Sequence, residues 1–156
     1  ARMAHRLREH VTPEMLAQAQ SRGLSLHQLL TLASIIEKEA VEAEERPLIS
    51  AVFWNRLRLH MPLQADPTVR YAVGKDGRAL TREDLKVDSP YNTYRYLWLP
   101  PAPIASPGKA SIMAALNPAK VNYLYFVSMD DRRHFFSISL DQHNSAVARY
   151  RLARVR

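Results

Sequence analysis

Ser25-Leu-His-Gln-Leu-Leu-Thr-Leu-Ala-Ser-Ile-Ile-Glu-Lys-Glu39 is the stretch on which the fold turns. Ser25-x-x-Gln28 is a capping box, in which each side chain satisfies a backbone N–H of the other end of the first turn. The spacing therefore predicts a helix opening at Ser25 and running to about Glu42. Each helical residue rotates the chain by about 100°, so Glu37 and Glu39 point to nearly opposite sides. Glu39 falls in the apolar stripe of Leu29, Leu32, Ile36 and Ala43, while Glu37 falls with Glu44 on the side expected to be solvated. A carboxyl set among apolar groups resists ionisation, as a general acid at neutral pH requires. A fold-holding ion pair of Glu39 with Arg56 or Arg70 satisfies the same helical phase, so phase alone leaves both roles open.

Outward from this helix, Thr12-Pro13 reads as an N-cap with proline in the first turn, and Gly23 closes that short helix. Pro47 opens a third helix, from Leu48 to about Leu59. Prolines at 62, 67, 90, 100, 101, 103 and 107 exclude a long helix between Met61 and Pro107. Tyrosines and polar residues alternate with them, and a loop-rich stretch of this length is more often functional than idle. It is expected to form a substrate cleft. Lys109–Leu116 reads as a short helix, Tyr123–Ser128 and Phe135–Ser139 as strands, and Met129–Arg133 as the turn of a hairpin. A last helix starts at about Leu140. Early helices with a small, late antiparallel sheet give the class α+β. The expected organisation is one domain over 1–156: helices 12–59, cleft loops 61–107, and a helix–hairpin–helix unit 108–156.

The 156 residues are 47% hydrophobic and 24% charged, the balance of a folded domain with a real core. With no cysteine, disulfides and thiolate metal sites are excluded. No run approaches the roughly 20 apolar residues of a membrane helix. The net charge of +7 is carried largely by the ends, at Arg2, Arg6, Arg8, Arg149, Arg151, Arg154 and Arg156. Such a surface is either simply solvated or suited to nucleic acid, anionic lipid or a carboxylate-bearing polymer. No RNP-like, zinc-finger or helix-turn-helix string accompanies it, so nucleic acid is not an expected partner. His134 and His143 lack close ligand spacing, and neither a metal nor a cofactor is expected. The opening Ala-Arg-Met suggests a domain excised from a longer protein.

Several strings then occur in a telling order: Ala33-Ser-Ile-Ile-Glu-Lys-Glu39, Glu45-Arg-Pro47, Val52-Phe-Trp-Asn-Arg-Leu57 and Leu63-Gln-Ala-Asp-Pro-Thr-Val69. Ser89-Pro-Tyr-Asn-Thr-Tyr94, Leu99-Pro-Pro101, Pro103-Ile-Ala105, Pro118-Ala-Lys120, Leu124-Tyr-Phe-Val127 and His143-Asn144 follow. Together, from about Leu29 to Tyr150, they resemble the endolytic murein transglycosylases of the MltG (YceG-like) type. The resemblance implies cleavage of the N-acetylmuramic acid to N-acetylglucosamine bond within peptidoglycan strands, leaving a 1,6-anhydromuramyl end. It makes Glu39, the second glutamate of Glu-Lys-Glu, the catalytic residue. It also implies peptidoglycan synthases as further partners and a site at the extracytoplasmic face of the bacterial membrane. A single-pass anchor and a LysM-like domain would lie outside this stretch. Ala40, Ala65 and Asn117 depart from the family pattern, as do Asp130 to Arg133, which replace a glycine-rich turn.

Under that resemblance one carboxyl suffices. It protonates the leaving oxygen and then accepts the proton of the sugar's own C6 hydroxyl, where a hydrolase would employ a second carboxylate. Asp66 and Asp88 are the possible second partners, Asp66 reading first as the brace of an Asp-Pro turn. Gln64, Asn92 and Tyr94 are candidates for bonding sugar hydroxyls and N-acetyl groups. Tyr91 and Tyr94 fit core packing with the hydroxyl at the rim as well as ligand contact. Asn55 and Arg56 would orient Glu39 or the loop above it, and His134 and His143 are candidates for polymer contact. The alternative function is a non-catalytic glycan-binding module.

Overall fold

A computed structural model describes residues 11–75 and 79–155, with side chains as far as Tyr150. Arg2, Arg6, Arg8 and the side chains of Arg151, Arg154 and Arg156 lie outside it. The helices are α1 (Pro13–Ser21), α2 (Leu26–Glu39), α3 (Arg46–Arg58), α4 (Asp66–Val73), α5 (Lys109–Leu116) and α6 (Leu140–Val155). Strands β1 (Tyr125–Ser128) and β2 (His134–Ser137) form an antiparallel pair, so the class is α+β. No described helix is long and apolar enough to cross a membrane.

Helix α2 is the axis of the molecule. Its capping box forms as the sequence predicts, with Ser25 Oγ accepting from the Gln28 N–H and Gln28 Oε1 from the Ser25 N–H. Every residue from Leu29 to Ile36 is buried, so the helix has no solvated side along its middle. Helices α1, α3, α4 and α5 pack around it. The core contributors include Leu32, Ile35, Ile49, Phe53, Ile112 and Leu116. Truncating one such residue, Leu32→Ala for instance, costs about 2–5 kcal/mol, because the cavity collapses only partly.

Three expectations need correction. Helix α2 stops at Glu39, where Ala40 turns extended (ψ 132°), and the chain continues through a 3-10 turn at Ala43–Glu45. Ala43 is exposed there and belongs to no helical stripe. The stretch 61–107 is not all loop. Asp66-Pro67 opens α4, which Gly74 closes in the left-handed conformation (φ +70°), and a second 3-10 turn spans Asp84–Lys86. Proline in the first turn and glycine after the last are ordinary helix punctuation, hidden here among so many other prolines. Finally, Glu37 is not a solvated charge: its Oε1 accepts from the Gly108 N–H (2.8 Å) and Ser111 Oγ (3.0 Å). It thereby ties the start of α5 to α2, where a negative charge complements the helix dipole.

A two-stranded sheet is marginal alone. Here Phe126 packs edge-on to Phe53 of α3, with ring centroids 5.9 Å apart. Asn55 Nδ2 donates to the carbonyls of Val121 and Tyr123, and Arg56 Nε to that of Leu124. Side chains of α3 thus moor the chain just before it enters β1. At the turn, Asp130 Oδ1 accepts from the N–H groups of Arg132 and Arg133.

Candidate active site

Because α2 ends at Glu39, the carboxyl leaves the packed core at the point where the helix stops shielding it. It lines a pocket of about 270 Å³ together with Gln64, Asp66, Tyr94, Phe126, His134 and His143. Its pKa is pushed up to about 8, first by burial and then by the negative charge of Asp66, with Arg70 opposing. The partial negative charge at the helix C-terminus acts in the same direction. Glu39 is thus an acid that still holds its proton at neutral pH.

The second wall is built by local hydrogen bonding. Gln64 has φ +52°, a conformation that side-chain-bearing residues rarely adopt, and its N–H donates to the Thr93 carbonyl. The Ala65 N–H donates to Thr93 Oγ1 (2.9 Å), and the Thr93 and Thr68 hydroxyls bond at 2.8 Å. Thr93 therefore staples the start of α4 to the loop that carries Tyr94. From that loop, the Tyr94 hydroxyl donates to Asp66 Oδ1 at 2.5 Å. Burial, followed by the neighbouring Asp66 charge, drives the Tyr94 phenol further from ionisation, so it acts as a donor. Asp66 stands in the first turn of α4.

The third wall is the hairpin. His134 Nδ1 and Glu45 Oε1 are 2.8 Å apart, and the His134 N–H donates to Glu45 Oε2 at 2.9 Å. Both carboxylate oxygens of Glu45 are thereby committed to one histidine, whose ring is fixed against the pocket. Beside this clamp Arg132 pairs with Glu42 at 2.5 Å. His143, from α6, stacks on Tyr125 with centroids 5.1 Å apart.

Of the residues expected at a site, Glu39, Gln64, Asp66, Tyr94, His134 and His143 meet at one pocket. The others stand elsewhere. Asn92 is fully buried, and its amide donates to the Leu85 and Val87 carbonyls while its oxygen accepts from the Tyr94 N–H. It shapes the Tyr94 loop and has no face for a ligand. Tyr91 packs on Tyr71 (centroids 4.8 Å), and Asn55 holds the approach to β1. Asp88 accepts from the Tyr96 hydroxyl and pairs with Arg95 on the surface. Arg56 gives its Nε and Nη1 to backbone carbonyls rather than to Glu39. Glu45 and Thr93 were missed. Glu45-Arg-Pro47 stands out as a string, but the pairing of Glu45 spans 89 residues of chain, and no local pattern announces it.

The chain is similar to proteins of known kind. It is 46% identical over 134 residues to the endolytic murein transglycosylase of Bacillus subtilis (strain 168), covering 86% of this chain and 37% of that protein. It is 36% identical over 137 residues to the endolytic murein transglycosylase of Streptococcus pneumoniae (strain D39), covering 84% of this chain and 25% of the relative. The chain thus spans well under half the length of either. A crystal structure of a YceG-like protein from Listeria monocytogenes superposes with a TM-score of 0.79 at 46% identity, over 85% of this chain and 43% of that one. The model of the YceG-like family matches residues 1–149. By sequence and by fold, this chain belongs to the YceG-like family.

Proposed function

We propose that this domain is a peptidoglycan lytic transglycosylase that cuts between N-acetylmuramic acid and N-acetylglucosamine inside glycan strands, with Glu39 as its single acid and base. The observation that carries the reading is a carboxyl crowded by its surroundings and by Asp66, set in a pocket that also holds polar groups for sugar oxygens. Relatives bearing the name endolytic murein transglycosylase supply the substrate class.

In the first half of the reaction the Glu39 proton moves to the glycosidic oxygen as the bond from C1 of the muramic residue breaks. The N-acetylglucosamine side then leaves as a free alcohol. In the second half the C6 hydroxyl of the same muramic residue attacks C1, and Glu39, now a carboxylate, takes the hydroxyl proton. The product is a 1,6-anhydro ring, and the acid is regenerated without water entering. Asp66 has two uses in this scheme. Its charge adds to the larger effect of burial in keeping Glu39 protonated at rest, and the same charge stabilises the positive character that develops at C1. Gln64, Tyr94, His134 and His143 are the groups in reach of the sugar. The whole protein would work at the extracytoplasmic face of the membrane, beside the synthases that make its strands.

Incubation with uncrosslinked glycan strands, followed by mass analysis of the ends, tests the reading. Anhydromuramyl ends are expected from the wild type and none from Glu39→Gln. Reducing ends would replace transfer by hydrolysis. Strands that bind but stay intact would make the domain a glycan-binding module.

A further inference from the structure

The pocket at Glu39 does not end there. A second cavity, of about 320 Å³, adjoins it and shares Gln64, Tyr94, Phe126 and His143 with it. The two neighbour each other across these shared residues, and the two halves of the site differ in chemistry. The Glu39 half carries Asp66 as well, and Glu45 stands behind His134. The far half contains no carboxylate among its lining residues and is headed by Arg56.

Arg56 is only 6% exposed. Its Nε donates to the Leu124 carbonyl at 2.7 Å and its Nη1 to the Pro62 carbonyl at 2.9 Å, with a longer 3.4 Å contact to Gln64 Oε1. Those bonds leave Nη2 as the donor without a partner among the described residues, on a side chain that lines the cavity. The guanidinium also lies over the Tyr125 ring, 5.1 Å from its centroid. Carbonyls and a ring face orient a cation without neutralising it. Burial accordingly pulls this guanidinium below its ordinary pKa range, as befits a charge with no anion beside it. The Arg56 contact takes Gln64 by its oxygen and leaves the amide N–H groups for the cleft. Gln64 holds that place at the cost of a strained backbone, φ +52°.

A buried guanidinium and a carboxamide that both offer N–H groups suit an oxygen anion, and a planar carboxylate matches the guanidinium fork best. From this geometry we infer that the Arg56–Gln64 half of the cleft is a carboxylate subsite, which reads the acidic group carried by the muramic residue of a strand. This rests on the peptidoglycan reading given above. N-acetylglucosamine is uncharged, so only alternate sugars of the strand present an anion. Asp66, in the Glu39 half, repels that anion and the Arg56 half attracts it, which sets the strand's register. The anion is either the free lactyl carboxylate of a peptide-free strand or a carboxylate of the peptide stem.

The test measures binding to Glu39→Gln, which does not consume its ligand. The probes are a strand tetrasaccharide with free lactyl carboxylates, the same sugar as its lactyl methylamide, and the same sugar bearing peptide stems. At least one anionic form is expected to bind about tenfold more tightly than the methylamide, the advantage of one charged hydrogen-bonded contact. A preference for the free acid assigns the lactyl group, and a preference for the stem-bearing sugar assigns the stem. Equal affinity for all three overturns the subsite. Adding Arg56→Gln should abolish the preference, and its persistence in a folded variant would likewise overturn the proposal. Gln64→Leu leaves the carbonyl bonds of Arg56 intact and should reduce the preference several-fold, which covers the case of an Arg56 variant that does not fold. Wild-type protein that binds these sugars with the stated preference but never cuts strands would sink the transglycosylase reading alone.

Discussion

The last turn of α2 holds two glutamates with opposite fates. Glu37 reaches the start of α5 and accepts from a backbone N–H and a serine hydroxyl, bonds that tie one helix to the other. Glu39, two residues on, meets crowding and the charge of Asp66, which favour its neutral form. The residue type, the helix and the turn are the same. What separates a structural carboxylate from one that keeps its proton is its surroundings, and those are set by tertiary contacts.

The largest expected effect exchanges the roles directly. Glu39→Gln should reduce strand cleavage about 10³-fold, the usual scale for losing a general acid, while Glu37→Gln should leave turnover per folded molecule within a few-fold. Comparable losses from both, in assays normalised to folded protein, would erase the distinction. Next is stability: Glu37→Ala removes both bonds that tie the start of α5 to α2, for a cost of about 1–2 kcal/mol in denaturant melts. Glu39→Gln should behave the other way, with a sign that depends on pH. A carboxyl whose pKa is raised on folding, here from 4.5 to about 8, makes the native state bind the extra proton. Its contribution to stability is therefore lost as pH rises from about 4.5 through about 8. The Tm of the variant relative to wild type should accordingly climb between pH 5 and pH 9. The smallest effect is the shift of the pH profile expected from Asp66→Asn, beside whatever rate is lost with its charge at C1. Without the neighbouring charge the Glu39 pKa falls, so the alkaline limb of the kcat/KM profile should move to lower pH, by less than the whole displacement because burial is the larger cause.

The sequence was most legible where the physics is local. The capping box at Ser25, the Pro47 helix start, the hairpin turn at 129–133 and the α+β order are all short-range patterns, and the structure contains each of them. Helical phase pointed to Glu39, yet for an incomplete reason. The stripe it relied on dissolves in a helix buried all round, and the position matters because the helix ends there. Asn92 shows the other limit. A neutral amide in a Tyr-rich loop suits a sugar ligand as well as it suits a loop brace, and only the Leu85 and Val87 carbonyls decide between them. Glu45 was unreadable for the same reason, since its partner lies at the far end of the chain.

The hairpin is fastened by Glu42 and Glu45, which sit a few residues beyond Glu39 on the short link between α2 and α3. Acid and opposite wall therefore share one foundation, in the way that both jaws of a vice are mounted on one bed. The gap in which a sugar ring would be gripped is thus tied to three to six residues of backbone, together with the mooring of β1 to α3. An insertion in that link should widen the jaws even if every residue lining the pocket were left unchanged.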